Sequence, residues 1–239
     1  MKSPKLQFFI GSAMLALSLS ACSESSSSSE PEVPKYTFDA AVVCPADGLN
    51  AYGEPNRGTF TDARDGQEYK YVTIGSQVWM AENLNYNDSL PRDMSWGWLS
   101  FCADSACSKG RLYVDTLALR VCPSGWHLPS EDEFLRLIDT VGGIDSAGLH
   151  LKATEGWIPL NPGISSNGTD DCGFALLPSP MVIKPMYRTT ENDGYIGLLG
   201  FIYGFVKFTI ENQGVIFHRA LNDGAERARM MTPVRCVKD

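Results

Sequence analysis

Basic charge is scarce in this chain: 20 Lys and Arg stand against 28 Asp and Glu, a net charge of −8 at pH 7. Binding to a phosphate backbone needs a basic face, so nucleic acid is not an expected partner. Histidine is scarcer still. His127, His150 and His218 are the complete set, and no His-Glu-x-x-His metal motif or Gly-x-Ser-x-Gly nucleophile elbow occurs. A catalytic triad scattered along the sequence would leave no such local trace. Cys-x-x-Cys pairs are absent too, which removes the usual spacing of zinc ligands. Beyond the N-terminal leader no run of 18 apolar residues exists, so membrane attachment would have to come from lipid and not from a spanning helix.

The leader itself is informative. Lys2 and Lys5 precede a largely apolar stretch from Phe8 to Leu19, and Leu19-Ser20-Ala21-Cys22 closes it. A charged start, an apolar middle and small residues at a cleavage point are the three regions of a secretory signal. The cysteine at the cut supplies a thiol for a diacylglycerol, so residues 1–21 read as a lipoprotein signal peptide and Cys22 as the lipidated residue. Removal of those residues leaves 218 of 239, with 18 basic against 28 acidic side chains, enough for one large domain. Residues 22–35 are a Ser-rich tether, of which SESSSSSEPEVP (23–34) has too little apolar surface to fold. Such a tether reaches roughly 20 Å from the lipid. Ser23 stands where an Asp would favour inner-membrane retention in some bacteria, so the expected location is the cell envelope, at the outer membrane.

With Cys22 assigned to lipid, Cys44, Cys102, Cys107, Cys122, Cys172 and Cys236 remain, an even number in an exported chain. Structural disulfides are the expectation, and six cysteines allow 15 pairings among which sequence alone does not choose. Cys102 and Cys107 could close a small loop, Cys122 and Cys236 could bridge the C-terminal half, and Cys44 with Cys172 is then the remaining pair.

Residues 36–58 read as an extension with a strand or two around Ala40 to Val43, packed on a main domain of residues 59–239. Arg64-Asp65-Gly66 predicts a tight turn, and Tyr69, Tyr71, Thr73 and then Gln77, Trp79 predict short strands broken at Gly75-Ser76. Ser130 followed by Glu133 forms a capping box, and Phe134, Leu137, Ile138 and Val141 recur at helical spacing up to Gly142-Gly143. The spacing predicts a helix over 131–140, with a second short one from Ser146 to Ala153. Gly200 to Thr209 and Gly214 to Ala220 read as paired strands, and Val234 to Val237 as a terminal strand. Few helices among many short strands predict an α+β domain.

Six blocks carry a resemblance. TDARDGQEYKYVTIGSQVWMAENLNY (61–86), GRLY (110–113), CPSGWHLPSEDEF (122–134), AGLHLKATEGW (147–157), NGTDDCGFALLPS (167–179) and VRCVKD (234–239) resemble the Fibrobacter succinogenes major paralogous domain. The resemblance implies a C-type-lectin-like fold: a mixed domain with two short helices, a twisted antiparallel sheet and long loops. Members are known mainly as exported bacterial proteins, often lipoproteins, without a settled biochemical role. The chain departs from the pattern at Cys172, where a Tyr is expected and where an extra disulfide to Cys44 would be consistent, and at Tyr187-Arg188-Thr189-Thr190 in place of a Trp-Ser-Ser-Thr-like block.

Candidate binding residues follow. Trp96-Gly97-Trp98 lies in a Pro- and Gly-containing stretch before the Cys102 to Cys107 loop, and indole faces stack on sugar rings, so Trp96 and Trp98 are candidates for carbohydrate contact. Trp79, Trp126 and Trp157 fall inside the family blocks and read as structural. Glu191, Asn192 and Asp193 carry three oxygen-bearing side chains in an expected loop and are the candidates for a calcium ion; no other cofactor is expected. Glu54-Pro55-Asn56 matches the tripeptide with which C-type lectins hold calcium and sugar, but it precedes the domain and reads as a turn. Asp170-Asp171 reads as a turn as well, and His127 as a residue that orders the approach to the 131–140 helix. The sequons at Asn87 and Asn167 carry little weight in a bacterial lipoprotein.

The expected function is a non-catalytic envelope binding module, attached to the membrane by its lipid and recognising polysaccharide or a surface protein. Alternatives are a structural envelope component, and an envelope enzyme: a hydrolase, or an oxidase like the formylglycine-generating enzymes, which share a lectin-like fold and use a reactive cysteine pair. Cys102 and Cys107 have suggestive spacing for that role but lie early in the domain and read as a surface disulfide loop.

Overall fold

Alternation along residues 68–74 puts Tyr69 and Tyr71 on one face and Val72 and Ile74 on the other, and the structure buries both faces. The computed structural model describes residues 37–87, 100–102, 105–159, 163, 165–179, 182–183, 187–188, 194–198, 204–208, 215–219 and 230–239. These lie within one compact unit, Tyr36–Asp239.

Helix α1 (Ala40–Val43) opens the described chain, capped by the Asp39 carboxylate on the Ala41 amide at 3.0 Å. A strand was expected there; four apolar residues are too few to show a period, and the Asp39 cap decides for helix. Strands β1 (Arg57–Thr61), β2 (Glu68–Ile74) and β3 (Gln77–Met80) form two successive hairpins. The first turns at residues 62–66, where buried Asp62 accepts from Arg64 Nη2 at 2.6 Å. Gly75, at φ 57°, makes the second turn, where Ile74 pairs with Gln77.

Strand β4 (Ser100–Cys102), strand β5 (Arg111–Val114) and helix α2 (Asp115–Val121) follow, then β6 (Trp126–His127) and helix α3 (Glu131–Thr140). The capping box of α3 is present: the Ser130 hydroxyl accepts from the Glu133 amide at 3.2 Å and Glu133 takes the Ser130 amide at 2.8 Å. Helix α4 (Ala147–Leu151) is shorter than the predicted 146–153, since Lys152 already bridges to Leu176. Short strands β7 (Val182–Ile183), β8 (Tyr187–Arg188), β9 (Gly194–Leu198), β10 (Gly204–Phe208) and β11 (Val215–Arg219) lead to β12 (Met230–Pro233) and β13 (Val237–Lys238). Strands β10 and β11 pair antiparallel, Val206 opposite Phe217, within the two spans predicted to pair.

Among the described residues the strands form three sheets, ordered β1-β2-β3-β13-β6, β4-β5-β12-β7-β8 and β11-β10-β9, with each strand pair antiparallel. Four short helices among them make the described domain mixed α+β. Helices α3 and α4 cover one face of the first sheet, burying Val72, Ile74 and Trp79 against Phe134, Leu137 and Leu151. On the other face Tyr69, Tyr71 and Met80 meet Leu112, Leu117 and Met231. The extension joins the first of these cores, where Cys44 is buried and Phe38 packs alongside.

Of the terminal strand predicted over Val234–Val237, only Val237 lies in a strand. Residues 234–236 run between β12 in one sheet and β13 in another, with the Val234 carbonyl accepting from Leu84 and the Cys236 carbonyl from Met80. That passage carries the Arg235 side chain into the interior. No helix among the described residues is long and apolar enough to cross a membrane.

Candidate functional site

A cleft of about 460 Å³ opens beside this passage. Its floor is set by Arg235, which is 2% exposed. The guanidinium donates from Nε to Asn83 Oδ1 at 2.8 Å, from Nη2 to the Ala175 carbonyl at 3.1 Å, and from Nη1 to the Phe174 carbonyl. It lies 4.5 Å from the centre of the Phe174 ring. Burial lowers its pKa from the ordinary arginine value, opposed by the charges of Asp170 and Glu82.

One wall is the turn 170–175. Asp170 Oδ1 accepts from the Ala175 amide at 2.7 Å, and the Gly173 amide donates to the Asp170 carbonyl at 3.1 Å. Both Asp170 (φ 49°) and Ala175 (φ 51°) are left-handed, a conformation that costs a residue with a Cβ roughly 1–2 kcal/mol. The neighbouring bond from Cys172 to Cys44, with Cα atoms 5.3 Å apart, fixes this turn to the extension. Arg57 adds bonds to the carbonyls of Cys44 and Asp171 at 3.3 and 3.4 Å. Burial raises the Asp170 carboxyl above its ordinary value, against the Ala175 amide and the Arg235 and Arg57 charges, which lower it.

The opposite wall comes from residues 81–85 and 107–110. Asn83 Nδ2 donates to the Lys109 carbonyl at 3.0 Å, which fixes its Oδ1 toward Arg235. Gly110 sits so close that a Cβ would approach the Asn83 carbonyl to 2.9 Å. Asn85 donates its amide to the Tyr69 hydroxyl at 2.9 Å, and its side-chain Oδ1 is buried with no hydrogen-bond partner among the described residues. Glu82 spends one oxygen on the Lys70 amide at 2.8 Å. Thr154 and Glu155 form the exposed rim, while Ala175 and Leu177 give an apolar edge.

Cys107, Asp170 and Ala175 are the three non-glycine residues with positive φ among the described residues, and all three line this cleft. Backbone strain of this kind concentrates at binding and catalytic sites.

The sequence candidates lie in different places. Cys22, Trp96, Trp98, Glu191, Asn192 and Asp193 are outside the described residues. The structure joins Cys44 to Cys172, Cys102 to Cys107 and Cys122 to Cys236, and of these six only Cys107 reaches the cleft. Glu54-Pro55-Asn56 follows the turn at residues 51–52 and is not itself that turn: Pro55 bridges antiparallel to Leu49, Asn56 Nδ2 donates to the Asp47 carbonyl at 2.6 Å and Glu54 pairs with Lys238 at 2.5 Å. His127 bridges Glu133 at 2.8 Å and Asp239 at 2.6 Å, tying the start of α3 to the residue that follows β13. Burial alone would lower the imidazole, but the two carboxylates hold it above its ordinary value. His150 pairs with Asp171 at 2.6 Å under the Phe38 ring, whose centre is 3.9 Å away. Trp79 and Trp157 are buried in one core and Trp126 in the other. Among the described residues no group of three His, Cys, Asp or Glu is placed to hold a metal ion.

Sequence reasoning passed over Asn83, Asn85, Asp170 as a cleft residue, and Arg235. Each lies in a quoted family block, so the available signal was membership of those blocks; their convergence is a property of the fold. Five of the six blocks supply lining residues, CPSGWHLPSEDEF being the exception.

The model of the Fibrobacter succinogenes major domain matches residues 72–238, and the chain belongs to that family. No curated protein and no solved structure matches it.

Proposed function

We propose that this member of the Fibrobacter succinogenes major domain family is a non-catalytic binding module of the cell envelope. It is anchored through a lipid on Cys22, stands off the outer membrane on the 22–35 tether, and recognises a polysaccharide or a surface protein. The cleft carries this reading: amides, carboxylates and amines converge there on backbone held in place by a disulfide and a buried guanidinium. Its volume of about 460 Å³ falls in the range of roughly 300–1,000 Å³ usual for small-ligand sites. A C-type-lectin-like arrangement is the finer reading of the fold, supported by β1 and β13 sharing one sheet and by the irregular chain of residues 152–159 and 165–179.

Two experiments test the proposal. Residues 36–239 are applied to plant and bacterial glycans and, in parallel, the full chain is cross-linked in cells. Capture of a glycan class or of one stoichiometric envelope protein is expected. Turnover of a substrate, with neither kind of capture, would refute the reading.

A further inference from the structure

We infer that the cleft is a subsite for an uncharged saccharide, whose hydroxyls bond the free oxygen of Asp170 and the Asn85 side chain. The inference rests on the binding-module reading and names its ligand class.

Charge argues first. Glu68, Glu82, Glu155 and Asp170 contribute carboxylates to the lining, and Lys70, Lys109 and Arg235 contribute cations. With both signs present in the lining, a ligand of either net charge meets repulsion as well as attraction. An acidic ligand would look to Arg235 for a two-pronged contact. That guanidinium already directs Nε to Asn83 and its two terminal nitrogens to the Phe174 and Ala175 carbonyls, so its fork is turned into the protein.

Unused hydrogen-bonding groups argue next. Asp170 commits Oδ1 to the Ala175 amide, and the described residues give Oδ2 no partner. Asn85 Oδ1 is buried and likewise unmatched. Both atoms accept, and for Asn85 Oδ1, which is buried, the missing partner is destabilising. The complementary ligand group is a neutral donor, and a hydroxyl can donate to such an oxygen while accepting from a neighbouring lysine or amide. Ala175 and Leu177 offer the apolar surface that the C–H edge of a sugar ring needs.

The test uses the full lipoprotein in detergent, titrated by calorimetry with cellopentaose, xylopentaose, mannopentaose and maltopentaose, and with pentagalacturonic acid as the acidic comparison. Asp170→Asn retains an acceptor for the Ala175 amide and a side chain that tolerates φ 49°. Its thermal melt is expected to match the parent. Binding of at least one neutral probe is expected, weakened about tenfold or more by Asp170→Asn and by Asn85→Ala. Glu54→Gln, remote at Lys238, should leave it unchanged. Neutral binding that survives both cleft substitutions overturns the inference but leaves the binding module standing. Binding of the acidic probe alone also overturns it. If no glycan binds while one envelope protein is cross-linked, the saccharide inference fails and the binding-module reading stands; if neither occurs, both fail.

Discussion

Replacing Arg235 by Met asks whether the buried guanidinium holds the cleft together or merely burdens the fold. Two effects compete. Burial of a guanidinium costs several kcal/mol, and a well-packed apolar side chain can replace a buried charge at no loss when its partners are replaced with it. Here they remain. Asn83 Oδ1 and the carbonyls of Phe174 and Ala175 would stay in place without donors, each at about 1–3 kcal/mol. The three penalties exceed the relief, and we expect Arg235→Met to lose about 2–4 kcal/mol. Arg235→Lys keeps the charge but replaces a planar fork with one ammonium that cannot serve three acceptors in that geometry, so it should lose about 1–3 kcal/mol.

For a domain of this size, 1 kcal/mol moves Tm by about 2–4 °C, so the Met variant should melt roughly 4–16 °C below the parent. Urea unfolding gives the free energy directly, and its slope shows whether the unfolded state has also changed. Amide exchange adds a local reading. The Ala175 N–H, bonded to Asp170 within the wall that Arg235 clamps, should lose protection in both variants. A Met variant as stable as the parent, with the Ala175 amide equally protected, would refute the clamp.

The bond between Cys44 and Cys172 closes 128 residues, for which the chain-entropy relation gives about 5 kcal/mol; Cys44→Ser with Cys172→Ser should lower the urea midpoint accordingly. The bridge from His127 to Glu133 and Asp239 should depend on pH in two directions. Raised above its ordinary 6.5, His127 contributes fully below that value and loses its contribution as pH rises through its folded value. Glu133, lowered from 4.5, contributes above that value and loses its contribution as pH falls through its folded value. Unfolding free energies from about pH 2 to about pH 9 should fall at both ends, and His127→Gln should flatten the alkaline limb.

What could be read from the sequence was local. The Ser130 to Glu133 box and the spacing of Phe134, Leu137 and Ile138 predicted α3 to the residue, because cap and period agree there. Gly75-Ser76 marked the β2–β3 turn for the same kind of reason. Helix α2 escaped notice: Val114 at its N-cap offers no side-chain hydrogen bond, so the start signal is missing. The crossing at residues 234–236 was hidden too, since Val234, Cys236 and Val237 are apolar whether they extend one strand or pass between two. That crossing places Arg235, and with it the cleft. A site assembled from residues 83, 170 and 235 leaves no spacing to find.

Why the wall at residues 170–175 takes so unfavourable a path is best answered by what it presents. Two left-handed residues with side chains, Asp170 and Ala175, occupy positions that glycine would fill at lower cost. Glycine at 170 would remove the carboxylate, and glycine at 175 the methyl on the apolar edge. The chain keeps both side chains and restrains the strained turn from three sides, by the bond to Cys44, by Arg57 on the Asp171 carbonyl and by Arg235 on the Phe174 and Ala175 carbonyls. Restraints of this kind add rigidity before any ligand arrives, which lowers the ordering cost of binding. The same restraints explain how a domain with many short strands and few helices can hold a defined cleft: the constraint comes from covalent and charged cross-ties between distant segments and not from long regular elements.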